Sequence, residues 1–194
     1  MKIIAGEFRG RTILGPRDQS TTRPITGRVR TSLFDRLTHR GLLDDQPVLD
    51  IFAGTGTLGI ESLSRGASAC LFVEKDRDAL RRLERNIHTL DLAARTEILR
   101  LDALRVHWIH QLPRPFSEGV SVAFVDPPYA LLREAGGWDR LIPLLSALAT
   151  VALPEGVMVL RTEKSLDVAP IEGWGEPETH TFGSQKLHLY AKRA

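Results

Sequence analysis

The sequence predicts an α/β fold built on a mostly parallel seven-stranded sheet, and two observations lead to this prediction. Short apolar runs alternate with segments of helical periodicity over residues 47–163, which is typical of parallel strands joined by crossover helices. The chain then closes with two strand-like runs around "GSQ" at 183–185, which indicate a C-terminal antiparallel hairpin. Five strands in the alternating region and two in the hairpin give the expected seven.

The N-terminal region has a different pattern and predicts a small extension in front of the sheet. Residues 2–14 are expected to form a short β-hairpin, and residues 15–25, rich in proline, glycine and polar residues, a loop. A helix is then expected from Thr26, a candidate N-cap, to the stop at Gly41. The extension is therefore a β-hairpin followed by a helix.

The elements of the alternating region can be assigned in order. Predicted strands lie in "PVLDIF", "ACLFVEKD", "RTEILRLDA", "VSVAFV" and "GVMVLRTEK", and predicted helices in "TLGIESLSRG", "RDALRRLERNIHTLDL" and "WDRLIPLLSALATVAL". Pro143 is expected either in the first turn of the last helix or at a kink. Open parallel sheets bind ligands beyond the carboxyl ends of their strands, so the residues that follow each strand are the candidate site.

Composition limits the class of protein. The chain has 194 residues, 42% hydrophobic and 26% charged, which suits one globular domain with a small appendage. A lone cysteine, Cys70, excludes an internal disulfide and fits a reducing compartment, so a cytoplasmic location is expected. No apolar run has the length of a membrane span, and the first residues lack the long apolar stretch of a secretory signal.

The charge of the chain is unevenly distributed. The formal net charge is +2, yet residues 1–40 contain nine basic residues and only three acidic ones. Such an asymmetry is typical of a segment that contacts a polyanion. A solvated, arginine-rich surface explains the same counts, and charge alone does not decide between the two.

The glycines at 54, 56 and 59 form G-x-G-x-x-G between a strand and a helix, a pattern compatible with two kinds of cofactor. One is a dinucleotide, for which Glu74, 20 residues after Gly54, would bind the ribose. The other is a cationic ligand, because Asp50 at the strand end would repel a pyrophosphate and attract an ammonium group. Asp50 therefore favours the second cofactor, although the spacing does not exclude the first.

A sharper signal follows the fourth strand, where "DPPY" occupies residues 126–129. It resembles the motif of enzymes that methylate planar amino groups, namely adenine N6, cytosine N4, guanine N2 and glutamine amides. Asp126 and the Pro127 carbonyl can accept the two N–H bonds of such an amine, and Pro127 with Pro128 stiffens the loop. Tyr129 can stack on a base, a contact of about 1–3 kcal/mol in single-strand binders. These four residues are the predicted catalytic group.

The segment "DIFAGTGTLGIE" resembles the cofactor loop of the class I S-adenosylmethionine-dependent methyltransferases, which have a Rossmann-like fold. The resemblance implies that an acid of the first strand and the glycine loop hold the methionine half of the cofactor. It also implies that Glu74 holds the ribose and Asp102 the adenine amine. Transfer would be a direct in-line displacement that leaves S-adenosylhomocysteine. The cofactor-binding residues implied in the described motifs are Asp50, Phe52, Ala53, Gly54, Gly56, Glu74, Lys75, Asp102, Ala103 and Asp126.

Six segments together resemble the RsmD family, bacterial enzymes that methylate guanine N2 in small-subunit (16S) ribosomal RNA. They are "MKIIAGEFRGRTI", "TRPITGRVRTSLFDRL", "LDIFAGTGTLGIESLSRGA", "FVEKD", "FVDPPY" and "FGSQKLHLYAKR". The resemblance implies an extension over 1–41 that closes over the cofactor and binds RNA, and a methyltransferase domain over 42–194. Gly27 and Thr31 depart from the family pattern, which has acidic residues there. Arg23 and Pro24 are the implied cofactor contacts of the extension, and the candidate RNA contacts are Arg9, Arg11, Arg17, Arg28 and Arg30.

Several alternatives remain at this stage. DNA adenine-N6 methyltransferases also use "DPPY", but they usually carry a separate target-recognition domain, for which 194 residues leave little room. Protein glutamine methyltransferases more often have Asn where Asp126 stands. A nicotinamide-dependent oxidoreductase and a non-catalytic RNA-binding module are more distant options.

The expected partner is ribosomal RNA or a ribosome assembly intermediate. No membrane contact is expected, nor a metal, since His107 and His110 lack a third ligand nearby, and the expected state is a monomer.

Overall fold

The computed structural model describes residues 1–17 and 25–193. The described residues form a sheet of seven strands flanked by helices on both faces. The strands are β1 (Val48–Ile51), β2 (Cys70–Glu74), β3 (Thr96–Arg100), β4 (Val120–Val125), β5 (Ala152–Glu163), β6 (Glu178–Phe182) and β7 (Gln185–Ala191). The helices are α1 (Gly27–His39), α2 (Thr57–Ser64), α3 (Arg77–Thr89), α4 (Tyr129–Arg133) and α5 (Gly137–Leu148).

The strand order is β3-β2-β1-β4-β5-β7-β6, with β1 to β5 parallel. The two residues Gly183 and Ser184 join β6 to β7, and so short a connection requires antiparallel pairing. Because β7 also pairs antiparallel with β5, the hairpin extends the sheet through its second strand. This architecture confirms the predicted mostly parallel sheet with a C-terminal antiparallel hairpin. It differs from the 3-2-1-4-5-6 order of dinucleotide-binding folds.

The two faces of the sheet bury separate hydrophobic clusters of described residues. Along β1, Val48 belongs to the cluster under α1, α2 and α3, whereas Leu49 and Ile51 belong to the cluster under α5. The first cluster contains Phe34, whose ring lies 5.7 Å from that of Phe124. Burial of such large side chains stabilises the fold by about 1.5–3 kcal/mol each. The sheet is thus covered on both sides, and its carboxyl edge is left for a ligand.

The predicted N-terminal hairpin is present, but it is reduced to a single antiparallel bridge between Lys2 and Thr12. Residues 5–10 are turns, which leaves little chain for strands. Ile3, Phe8 and Ile13 lie in the same hydrophobic cluster as α1 and α2. The extension therefore shares a core with the sheet, and the division of the chain at residue 41 stays a prediction.

Polar side chains of the sheet domain bind the backbone of this hairpin. The buried carboxylate of Glu61 in α2 accepts the N–H groups of Ile4 (2.9 Å) and Ala5 (3.1 Å). In α3 the amide of Asn86 accepts from the N–H of Leu14 at 2.7 Å and donates to its carbonyl at 3.0 Å. Buried polar groups are costly unless they are paired, so Glu61 and Asn86 fix where the hairpin docks.

Pro143 is the seventh residue of α5, which excludes the first turn and leaves the other predicted position, inside the helix. The start of β5 differs from the prediction. Strand β5 begins at Ala152, four residues earlier than its apolar run. The pairing with β4 shifts between Val120 and Val122, so residues 153–156 form a bulge. A bulge tolerates the proline at 154, which regular pairing inside a sheet would not.

Within the described ranges, no helix combines the length and the apolarity that a membrane crossing requires. Residues 1–17 and 25–193 also contain no group of three or more His, Cys, Asp or Glu arranged to hold a metal ion.

Candidate active site

The strand register brings four functional positions side by side at the carboxyl edge of the sheet. Ile51 pairs with both Val73 and Val125, and Val125 pairs with Leu160. The next residue of each strand therefore projects at the same level, and these residues are Phe52, Glu74, Asp126 and Arg161. The connection that follows β1 leads to β2, and the connection that follows β4 leads to β5, on the opposite side. Because these connections diverge at the centre of the sheet, the carboxyl ends of β1 and β4 are left open to a ligand.

A cavity of about 620 Å³ opens at this edge. That volume is within the usual range for a site that holds a nucleotide-sized molecule, roughly 300–1,000 Å³. Arg17 and Ile25 of the extension also line it, so both parts of the chain contribute walls. The predicted residues among its walls are Asp50, Phe52, Ala53, Gly54, Glu74, Lys75, Ala103, Asp126, Pro127, Pro128 and Tyr129.

The three glycines of the loop have different roles. Gly54 (φ +56°) faces the cavity, and a Cβ there would meet no described atom within 4 Å. A Cβ at Gly56 would lie 2.4 Å from Leu83 Cδ1, and one at Gly59 would lie 2.3 Å from Phe72 Cε1. Gly56 packs against Leu83 and is not among the residues that line the cavity, and its cofactor contact stays a prediction. Only Gly54 shapes the ligand space directly.

Asp50 is buried and bonded to the loop that follows it. Its Oδ2 accepts the Gly59 N–H at 2.8 Å, near the start of α2, where a negative charge is favoured. Burial raises the pKa of the Asp50 carboxyl well above its ordinary value, the Gly59 bond lowers it, and the nearby carboxylates of Asp126 and Glu74 raise it. A cationic ligand would relieve this crowding of negative charge.

Phe52 holds a left-handed backbone conformation, with φ +59°. Such a conformation costs about 1–3 kcal/mol in a residue other than glycine. It turns the chain from β1 into the glycine loop, and it leaves the half-buried ring as a wall of the cavity. The strain therefore occurs where the chain meets the candidate ligand space.

Glu74 accepts more hydrogen bonds than the other carboxylates at this edge of the sheet. Its Oε2 accepts the Gly54 N–H at 2.7 Å, and its Oε1 accepts the N–H groups of Lys75 and Asp76, both at 2.8 Å. Three donors fix the orientation of the carboxylate above the glycine loop. The oxygens keep further lone pairs, which can accept hydrogen bonds from a diol.

Asp102 lies at the rim and not in the wall of the cavity, whereas Ala103 lines it. The Oδ2 of Asp102 accepts from Lys75 Nζ at 2.9 Å, and its Oδ1 accepts the Leu104 N–H at 3.2 Å. Partial burial alone would raise the pKa of Asp102, but the bonds to Lys75 and Leu104 outweigh it and lower the pKa. An exposed ion pair contributes only about 0–1 kcal/mol, so a ligand amine can compete with Lys75 for this carboxylate.

Asp126 is paired with an arginine that the sequence analysis did not identify. Arg161 Nε donates to Asp126 Oδ1 at 2.6 Å, and Arg161 Nη1 donates to Gln185 Oε1 at 3.2 Å. The guanidinium also lies 5.4 Å from the ring centre of Tyr129. Burial raises the pKa of Asp126, and the charge and hydrogen bond of Arg161 lower it without cancelling the rise. Arg161 thus opposes protonation of the predicted catalytic carboxylate.

A sequence signal for Arg161 existed in "GVMVLRTEK", where a lone arginine ends an otherwise apolar run. Such a residue is buried only when it has a partner, and Arg161 is 7% exposed. The sequence does not show which carboxylate is the partner, because the neighbours of β5 in the sheet are set by topology. The parallel register of β4 and β5 supplies the answer, Asp126.

The "DPPY" segment leaves β4 and begins α4. The Asp126 N–H donates to the Ile51 carbonyl at 3.2 Å, which ties the motif to β1. Pro127 is buried and Pro128 exposed, and Tyr129 is the first, half-buried residue of α4. Proline has no N–H to pair, so the chain can leave the sheet here without orphaned donors. Asp126 and Tyr129 consequently face the same cavity.

The candidate RNA contacts divide into exposed and buried residues. Arg9, Arg11, Arg17 and Arg28 are exposed. Arg30 is only 4% exposed, its Nη2 donates to the Lys2 carbonyl at 2.8 Å, and burial lowers the pKa of its guanidinium. The prediction that Arg30 contacts RNA is therefore corrected: the residue is an internal link between α1 and the hairpin. The predicted cofactor contacts Arg23 and Pro24 lie outside the described residues.

A parallel sheet ending in an antiparallel hairpin, with an aspartate-proline-proline-tyrosine turn over its cavity, defines a Rossmann-like methyltransferase. A profile of the family described as conserved hypothetical protein 95 matches residues 1–191. The chain accordingly belongs to this family, the RsmD family.

Individual relatives match over the whole chain. YlbH of Bacillus subtilis is 37% identical over the full length of both chains. The ribosomal RNA small subunit methyltransferase D of Escherichia coli K12 is 36% identical, covering all of this chain and 91% of the relative. The solved structure of yhhF from Escherichia coli superposes with a TM-score of 0.78 at 28% identity, over 100% of this chain and 98% of that one. Sequence and fold thus agree on an enzyme of the methyltransferase class.

Proposed function

We propose that this enzyme transfers a methyl group from S-adenosylmethionine to the exocyclic N2 of a guanine in small-subunit ribosomal RNA. The observation that carries the proposal is the pairing of Asp126 with Arg161 beside Tyr129 in the wall of the cavity. A charged acceptor and an aromatic ring at one point suit a planar amine that must be both bonded and stacked. The match to the Escherichia coli small-subunit enzyme supports ribosomal RNA as the substrate.

The chemistry of the cavity walls fits S-adenosylmethionine better than a dinucleotide. Carboxylates of Asp50 and Glu74 face a ligand that would bring an ammonium, a sulfonium and a ribose diol. A dinucleotide pyrophosphate would need the N–H groups of the glycine loop, yet the Gly54 N–H is already bonded to Glu74. It would also meet two carboxylates of its own sign. When bound, S-adenosylmethionine supplies an electrophilic methyl carbon and becomes S-adenosylhomocysteine.

The positions of the described residues around the cavity support the predicted contacts. Asp50 and Gly54 would hold the methionine half, Glu74 the ribose, and Ala103 the adenine ring, with Asp102 at the rim for its amine. Lys75, Phe52 and Ala53 complete the walls. Arg23 and Pro24 remain the expected contacts of the extension, which would close over the cofactor as a separate N-terminal part.

The residues of the "DPPY" turn would bind and orient the target amine. Guanine presents two adjacent donors, N1–H and N2–H, and an ionised Asp126 can accept from both. Adenine presents an acceptor, N1, next to its amine, so it could give the same carboxylate only the N6–H bond. The Pro127 carbonyl can take the second N2–H, and Tyr129 can stack on the ring. Rate enhancement then comes mainly from positioning the nitrogen in line with the methyl carbon.

Ribosomal RNA as substrate implies that the base is presented in a loop or flipped from its helix. It also implies a cytoplasmic enzyme that meets either free RNA or a subunit assembly intermediate. Arg9, Arg11, Arg17 and Arg28 are the proposed phosphate contacts, since arginine binds phosphate with a rigid pair of donors. The proposed state is a monomer, which analytical ultracentrifugation would check.

The test is a methyl-transfer assay with labelled S-adenosylmethionine and three substrates: naked small-subunit RNA, assembled small subunits and duplex DNA. Digestion to nucleosides and mass spectrometry should identify N2-methylguanosine from one of the ribosomal substrates. The Asp126→Ala variant should bind S-adenosylhomocysteine in calorimetry but lose about 100-fold or more in transfer rate, because the amine is no longer positioned. Label in DNA adenine, or cofactor binding without any transfer to RNA, would contradict the proposal.

A further inference from the structure

A second groove lies beside the cavity, on the other side of Tyr129. It has a volume of about 430 Å³, and we call it the hairpin groove because the β6–β7 turn forms one of its sides. The start of α1 forms the other side. Tyr129 lines both the groove and the cavity, so the two spaces adjoin at this ring. The groove is lined by Thr26, Arg28, Val29, Tyr129, Phe182, Gly183, Ser184 and Gln185.

The hairpin groove is lined by positive charge alone, whereas the walls of the cavity contain charges of both signs. Arg28 is the only charged residue among its described walls, and it is exposed. The first turn of α1, which begins at Gly27, contains no acidic residue, so the positive end of a 13-residue helix faces the same side. The walls of the neighbouring cavity hold acidic residues, among them Asp50, Glu74 and Asp126, together with basic ones, among them Arg17 and Arg161. Because the described walls of the groove contain no carboxylate, a phosphate is more favoured in the groove than in the cavity.

The groove also offers an aromatic surface. Phe182, the last residue of β6, is half-buried: it packs against a hydrophobic cluster of the core and also lines the groove. Tyr129 provides a second ring at the boundary with the cavity. Aromatic rings interleaved with arginine are the combination that binds single-stranded nucleic acids, through base stacking and phosphate contacts. Phe182 has no role in the proposed methyl transfer itself.

We propose that the hairpin groove binds the nucleotide next to the target guanine, with its base against Phe182 and its phosphate at Arg28. This inference rests on the proposed function, because a base held at Tyr129 must leave its strand neighbour on one side of that ring. A nucleic acid strand is the occupant that satisfies both the positive charge and the aromatic wall. Recognition of a neighbouring nucleotide is also a source of sequence context for enzymes that act on extruded bases.

The groove is connected to the candidate catalytic group by hydrogen bonds. Gln185 lines the groove, its Oε1 accepts from Arg161 Nη1, and Arg161 donates in turn to Asp126. A nucleotide seated in the groove would contact one end of this chain of bonds. Occupation of the groove and alignment of Asp126 are thereby linked through Arg161.

A photocrosslinking experiment tests the occupant directly. The Phe182→p-benzoylphenylalanine variant is irradiated with the ribosomal substrate in the presence of S-adenosylhomocysteine, and the crosslinked nucleotide is mapped by primer extension. We expect the crosslink one or two nucleotides from the guanine that the wild-type enzyme methylates. The Arg114→p-benzoylphenylalanine variant is the control, since that side chain is 84% exposed and lines neither space. A Phe182 crosslink at a distant nucleotide, or none above this control, overturns the inference.

Kinetics of two arginine variants provide the second measurement. Arg28→Ala should raise KM for RNA severalfold, leave S-adenosylhomocysteine affinity unchanged and reduce the slope of log affinity against log salt by about 1. Arg114→Ala should change none of these values. If the wild type methylates RNA and both variants match it, only the groove assignment fails. If the wild type transfers no methyl group to RNA, the proposed function fails, and RNA binding alone then decides the groove assignment. A smaller salt slope for Arg28→Ala than for the wild type supports the assignment, and an equal slope refutes it.

Discussion

Arg161 Nε donates to Asp126 Oδ1 at 2.6 Å across the paired ends of β5 and β4. Both side chains are largely withdrawn from water, with 9% and 19% of their surfaces exposed. The removal of one partner of such a pair leaves an uncompensated charge, which typically costs about 3–5 kcal/mol. Within the proposed function, this pair decides in which protonation state Asp126 meets the amine.

The Arg161→Met variant should therefore require a higher pH for activity. Burial favours protonated Asp126, and loss of the guanidinium leaves that effect unopposed, so the pKa of Asp126 rises further. The acidic limb of the kcat/KM profile should then move to higher pH. The measurement is methyl transfer over a pH series, with thermal unfolding in parallel. Arg161→Lys, which keeps the charge, should recover much of the profile. An unchanged limb with a uniformly lower rate would show that Arg161 only supports the fold.

Substitution of Glu74 should weaken cofactor binding more than substitution of Asp102. Glu74→Gln keeps the shape but removes the charge that accepts three backbone N–H groups, and hydrogen bonds to charged groups contribute about 1.5–3 kcal/mol. Titration calorimetry with S-adenosylhomocysteine should show a loss of affinity of at least tenfold. Asp102→Asn, at the rim and paired with Lys75, is the matched control and should lose less. Equal losses of affinity in the two variants would mean that Asp102 contributes as much to cofactor binding as Glu74 does.

Two glycine variants should separate packing from ligand binding. Gly56→Ala places a methyl group 2.4 Å from Leu83 Cδ1 at φ +80°, so it should destabilise the fold by about 1–3 kcal/mol. Gly54→Ala, at φ +56°, has similar backbone strain but no clash, so it should destabilise the fold less and should reduce S-adenosylhomocysteine affinity. Denaturant unfolding and calorimetry on both proteins provide the comparison. A stable Gly56→Ala protein with impaired ligand binding would show that Gly56 contributes to cofactor binding and not mainly to packing.

The Arg30→Met variant should leave RNA affinity unchanged. Arg30 is buried, and its Nε and Nη1 have no hydrogen-bond partner among the described residues. An apolar side chain of similar length avoids that desolvation and loses one bond, to the Lys2 carbonyl. Fluorescence anisotropy with a ribosomal RNA fragment is the measurement, and exposed Arg28 provides the contrast. A loss of affinity as large as that of Arg28→Ala would restore Arg30 to the RNA surface.

The sheet and its functional edge could be predicted because they depend on local patterns. Apolar runs mark buried strands, and parallel strands place whatever follows them at one edge, so Glu74 and Asp126 were predicted on the same side. The partner of Asp126 could not be predicted, because it follows from the adjacency of β4 and β5 and not from any spacing in the chain. The burial of Arg30 was not predicted either, because a cluster of basic residues in a sequence does not show which side chains point inward.

The attachment of the hairpin has a consequence for the order of folding. Ile4 and Ala5 bond to Glu61, and Leu14 bonds to Asn86, partners that lie 57, 56 and 72 residues further along the chain. During synthesis, residues 4–14 must therefore wait until α2 and α3 have emerged. Contacts of such sequence separation form late, after local helices and the first strands. The hairpin is thus expected to settle later than the helices that hold it, and the walls that the extension gives to the cavity are completed only then.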